Sequence, residues 1–104
     1  MTPTLTAPDP AIFPADVLAF AAERGVTDYL VPLYDLARQC FPGADVAVGL
    51  NFDWDIADLG WIVYEVPAGP MAEGPRQIAR SHWRDEKLRM LPRSASGSFV
   101  LRVR

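Results

Sequence analysis

The chain has 104 residues, of which 50% are hydrophobic, 11% aromatic and 22% charged, with a formal net charge of −3. That is the size of one ordinary domain with enough apolar surface to offset the entropy of folding, which excludes global disorder. A single cysteine excludes an intrachain disulfide or a cysteine zinc cluster, a single histidine excludes sites that need two, and the longest apolar run, Val17 to Ala22, is too short to cross a membrane.

Prolines at positions 3, 8, 10 and 14, with threonines between the first of them, disfavour regular structure. Residues 1–12 are therefore expected to form a flexible arm and residues 13–104 a single α+β domain, with Ile12 and Phe13 anchoring the junction. Pro14 suits the opening of a first helix, Asp16 favours its N-terminal end, and Arg24 followed by Gly25 closes it. A second helix is expected from near Asp28, with Leu30, Leu33, Tyr34, Ala37 and Phe41 at helical spacing and Pro42-Gly43 ending it. Pro32 fits only in its first turn, since deeper inside it would clash with the carbonyl four residues back.

From Asp45 the period changes to two. Val46, Val48, Leu50 and Phe52 share one face of a strand, with Ala47, Gly49 and Asn51 on the other. Trp61 to Val66 reads as its antiparallel partner across a long loop, with Ile62, Tyr64 and Val66 facing inward. Pro75 then opens a third helix running to about Leu91, and a last strand follows Gly97 with Phe99, Leu101 and Val103 on one face. Three strands with one apolar face require a covering layer. The expected architecture is therefore a two-layer α+β fold in the order α-α-β-β-α-β, a mainly antiparallel three-stranded sheet with helices on one face. The last strand could lie parallel to the second or cross over to the first.

Charge is unevenly divided along this order. Residues 1–70 hold ten acids against Arg24 and Arg38, whereas residues 71–104 hold Glu73, Asp85 and Glu86 against eight bases. On the third helix Arg76, Arg80, Arg84 and Lys87 fall within a sector of about 80°, beside an apolar stripe of Ala79, Trp83 and Met90. Such a basic stripe is the margin of an ordinary surface helix or a site for an acidic protein. A nucleic-acid-associated regulator using this stripe is a third alternative, against which the acidic remainder of the chain and the lack of a groove-reading motif argue.

Two clusters could carry chemistry. His82 has Asp85 and Glu86 three and four residues on, and the segment from Asn51 to Gly60 holds Asp53, Asp55 and Asp58. The acidic segment lacks the glycine and glutamate of the calcium loop at the required offsets, and two ligands on a helix do not make a metal site. Together they could serve a small metal-assisted hydrolase only if segment and helix converge. No catalytic residue, metal or cofactor is assigned. Cys40, at the apolar end of the second helix, reads as a small core residue.

The outer face of the sheet is more informative. It should carry Ala47, Gly49, Trp61, Val63 and Val100 beside Glu65, Arg102 and Arg104, a composition too apolar for a water-facing layer. The expectation is a non-catalytic interaction module. Trp61, Val63 and Val100 would supply apolar contact, and Glu65 and Arg102 the orientation, for a homodimer or a protein partner. No Lys or Arg precedes Arg24 to open a signal peptide, so a cytoplasmic protein without membrane association is expected.

Overall fold

A computed structural model describes residues 9–52, 55, 60–67, 69 and 71–104. Helix α1 spans Ala15–Arg24, a 3-10 turn Thr27–Tyr29 leads into α2 at Leu30–Cys40, and strands β1 and β2 are Ala47–Phe52 and Gly60–Val66. Helix α3 follows at Glu73–Met90, a one-turn helix α4 at Arg93–Ser96, and strand β3 at Phe99–Val103. The result is a two-layer α+β arrangement with the helices on one face of a mixed, mostly antiparallel sheet.

The helix boundaries follow from local chemistry. Pro14 precedes the first residue of α1, and Gly25 ends it in the left-handed region at φ 69°, where a side chain would be strained. The Val26 and Gly25 amides then donate to the Ala21 and Ala22 carbonyls, which closes the last turn. Pro32 and Pro75 both occupy the third position of their helices, α2 and α3. The first four amides of a helix have no intrahelical acceptor, so a proline costs no hydrogen bond there. The α3 helix thus starts two residues before the proline expected to open it. The apolar stripe expected on this helix also ends early: Ala79 and Trp83 are buried, but Met90 is exposed and Leu91, just past the helix, takes the inward place.

Strand order is β1-β2-β3. The β1 strand runs antiparallel to β2, with Val48 opposite Tyr64 and Gly49 opposite Val63. The β3 strand lies parallel to β2 after the α3–α4 crossover, with Val63 opposite Val100 and Glu65 opposite Arg102. That places the last strand at an edge beside the second rather than next to the first.

The core lies between the layers. Val48, Ile62, Tyr64, Val66 and Phe99 from the sheet meet Val17, Ala21, Leu30, Leu33, Ala37 and Trp83 from the helices. Two buried polar atoms are tied to α2: Tyr64 Oη donates to the Leu30 carbonyl at 2.9 Å, and Trp83 Nε1 donates to the Leu33 carbonyl at 3.2 Å. Both side chains therefore bury large rings without an orphaned donor. Their rings stand 5.9 Å apart, so β2, α2 and α3 are locked at one point. Burial pushes the Tyr64 phenol far above its ordinary range. Residues 9–13, which include the end of the expected arm, form a turn in which the Ala11 amide donates to Asp9 Oδ1 and the Phe13 amide to the Asp9 carbonyl. Phe13 packs edge-on against Tyr34 of α2, and residues 1–8 lie outside the described set.

Candidate interaction surfaces

Period-two alternation sends every second strand residue away from the helices, and the register arranges these outer residues in rows. One row is Gly49, Val63 and Val100, and the next is Ala47, Glu65 and Arg102. Asn51 lies opposite Trp61 beyond the first. The five residues expected to form the contact, Trp61, Val63, Glu65, Val100 and Arg102, thus share one surface.

Their environments differ. Val63 is only 3% exposed, yet it is not part of the core cluster formed by the other buried apolar side chains. Val100 is 39% exposed, Trp61 is half-buried, and a Cβ built on Gly49 would meet nothing within 4 Å. Gly49 has an ordinary backbone conformation, so its missing side chain leaves space rather than relieving strain. A depression of about 200 Å³ opens there, lined by Ala47, Val48, Gly49, Leu50, Asn51, Val63 and Glu65.

The charged end of this face is internally paired. Glu65 accepts hydrogen bonds from Arg102 Nη1 at 3.2 Å and pairs with Arg104 Nη2 at 2.8 Å. One carboxylate holding two half-exposed guanidinium groups leaves a net positive charge at this corner. Such exposed pairs each contribute at most about 1 kcal/mol and act chiefly on orientation.

A second surface lies at the sheet margin. The Ile62 amide donates to the Ser98 carbonyl and the Arg104 amide to the Val66 carbonyl, so the even-numbered residues of β3 bond to β2. In a parallel ladder the alternate residues, Phe99, Leu101 and Val103, then direct their amides and carbonyls to the open edge. Helix α3 runs beside this edge, and Lys87 Nζ donates to the Phe99 carbonyl at 3.0 Å. A concavity of about 260 Å³ separates the two, lined by Arg80, Arg84, Lys87 and Trp83 on the helix and by Phe99, Val100 and Leu101 on the strand. The Lys87 ammonium also stands 5.5 Å from the Trp83 ring centre. Its pKa is lowered by partial burial and by the neighbouring Arg84 charge.

The basic stripe is therefore divided. Arg80, Arg84 and Lys87 face the groove, whereas Arg76 turns back so that its Nη2 donates to the Met71 carbonyl at 3.0 Å. Periodicity places these bases on one side of α3. It carries no information on β3 lying alongside them, which arises from a contact between residues distant in the helix and strand.

The other chemical candidates stay apart. His82 is exposed on the outward side of α3 beside Ser81 and Asp85, and Glu86 pairs with Arg89 at 3.1 Å instead of with the imidazole. Among the described residues no group of three His, Cys, Asp or Glu side chains could hold a metal ion. Asp53 and Asp58 lie outside the described residues, and Asp55 is exposed. Cys40 is half-buried against the core, where burial and the charge of Glu86 push its thiol pKa up, away from nucleophile activation. Among the described residues no helix is long and apolar enough to cross a membrane.

Comparison of the chain with protein-family models, with curated proteins and with solved structures returned no match.

Proposed function

We propose that this chain is a non-catalytic interaction module that pairs with a second copy of itself through the outer face of its sheet. The observation that carries this reading is the open apolar area around Val63 on the outer face of the sheet: Val63 is itself shielded, whereas Val100 is 39% exposed and Trp61 half-buried beside the depression at Gly49. Around Val63, Gly49 and Ala47 keep the surface low, and Trp61 and Val100 supply larger apolar area. Two sheets can approach to about 10 Å when their facing side chains are this small in the middle.

A second copy suits the charge pattern because Glu65, Arg102 and Arg104 put both signs on the same face. A twofold axis through the apolar centre holds the two net-positive corners at opposite ends of the interface, so one self-complementary patch serves both subunits. The apolar centre supplies affinity, and the charged corner sets the rotation between the sheets.

Light scattering over a concentration series tests the proposal. The wild-type chain is expected to show a mass rising towards twice its monomer value, and Trp61→Glu to remain monomeric with an unchanged far-UV circular dichroism spectrum. Gly49→Arg, which fills the open depression without straining the backbone, is expected to do the same. A wild-type mass that stays monomeric, or dimers that survive both substitutions, would remove this surface from consideration.

A further inference from the structure

The groove between α3 and β3 is not used by the proposed dimer, and its features point to a different kind of ligand. It combines the edge-facing backbone donors and acceptors of Leu101 and Val103 with a cluster of cations. The described ion pairs join Arg89 to Glu86 and Arg102 and Arg104 to Glu65, so among the described residues Arg80, Arg84 and Lys87 have no acidic partner. Arg84 and Lys87 lie close enough to repel each other. A single lysine on a sheet edge is an ordinary guard against unwanted strand pairing, and Lys87 on the Phe99 carbonyl fills that role. Two further arginines on the same groove exceed it.

We infer that the free edge of β3 and the Arg80–Arg84–Lys87 wall of α3 together bind an extended acidic segment of a partner protein, which adds to the sheet as a fourth strand. The Leu101 and Val103 amides and carbonyls would pair with the segment's backbone. With a period of two, the segment's alternate side chains then face the α3 side, where carboxylates meet the cations. Backbone pairing supplies affinity for any extended chain, and the cations select an acidic one. Leu101, whose side chain shares the helix side of the sheet and lines the groove, offers apolar contact beside the charges. A purely electrostatic site for a small anion would make no use of the strand edge, and a polynucleotide could not satisfy it with amide groups.

Fluorescence anisotropy with a labelled hexapeptide of alternating aspartate and valine tests this on the whole chain. The peptide is expected to bind with an affinity that falls with salt. Arg80→Glu combined with Arg84→Glu should weaken it by about tenfold or more, the two sites being exposed enough to leave the circular dichroism spectrum unchanged. Two N-methylated versions of the peptide separate strand addition from plain charge attraction. Methylation of one alternation should abolish binding because it removes the amides that face the edge, and methylation of the other should not. No binding, or equal binding by the two methylated peptides, would overturn the inference, as would a single-stranded oligonucleotide of six residues that competes more strongly than the peptide. Trp61→Glu, which disrupts the proposed dimer face, is expected to leave peptide binding intact. Loss of binding in that variant would place the peptide on the outer face instead.

Discussion

Replacing Tyr64 by phenylalanine removes one hydroxyl from the point where sheet and helices are locked, and the consequence can be followed through pH. The side chain is fully buried, and its Oη donates to the Leu30 carbonyl at 2.9 Å. A neutral hydrogen bond of this kind contributes about 1 kcal/mol net, so the Tyr64→Phe variant should be less stable by about that amount at pH 7. For a domain of this length the corresponding fall in Tm is about 4–8 °C. Alkali reverses the comparison. An unfolded tyrosine ionises near pH 10, whereas burial raises the folded phenol far above that, so only the unfolded chain loses the proton. The linked stability is fully present below pH 10 and is lost as the pH rises beyond it, by about 1.4 kcal/mol at pH 11. The variant has no phenolic proton to lose at this position, so the wild-type advantage should vanish near pH 11. Urea unfolding of both proteins at pH 7, 9, 10 and 11, followed by far-UV circular dichroism, reads this directly, because Tyr29 and Tyr34 are common to both and cancel. A stability difference that stays constant through pH 11 would refute the claim that this hydroxyl is sealed and neutral between the layers.

Three other substitutions probe separate parts of the molecule. Gly60→Ala places a Cβ 2.9 Å from Phe52 Cδ1 and Cε1 and 3.1 Å from Phe20 Cε2, so it should destabilise by about 1–3 kcal/mol, and adding Phe52→Ala should recover most of the loss in a urea titration. Glu65→Gln releases Arg102 and Arg104; thermal unfolding should show a loss below about 1 kcal/mol at low salt that disappears in 1 M salt, where screening acts over roughly 3 Å. Arg84→Gln removes a like charge beside Lys87 and should raise the pKa of that ammonium in an NMR titration of its Cε resonance; an unchanged value would leave desolvation as the whole cause of its depression.

What could be read from the residues alone was what depends on near neighbours. Alternation at Val46–Phe52, Trp61–Val66 and Phe99–Val103 gave the strands and their inward faces, and Pro14, Gly25 and Pro42-Gly43 bounded the first two helices. The four-residue helix α4 escaped because one turn has no periodicity to detect, although its Ala95 is buried. Phe52 belongs to the inward alternation but is 57% exposed at the end of β1, where its ring meets Phe20 edge-on at 6.4 Å. The position of β3 was open because a helical crossover reaches either side of a hairpin, and local sequence does not decide between them. The same limit hid the groove, which exists only because β3 settles next to α3 and Lys87 reaches the Phe99 carbonyl. The composition of the outer sheet face was legible, but the contrast between the hidden Val63 and the exposed Val100 beside it was not.

The outer face is tested most directly by an isotope-filtered NOE experiment on a one-to-one mixture of carbon-13-labelled and unlabelled chains at high concentration. Intermolecular cross-peaks are expected from the Val100 methyl groups and the Trp61 ring, and to be absent from the exposed Ile78 and Leu88 of α3. Cross-peaks confined to α3, or none at all in a sample whose mass is that of a dimer, would contradict the account.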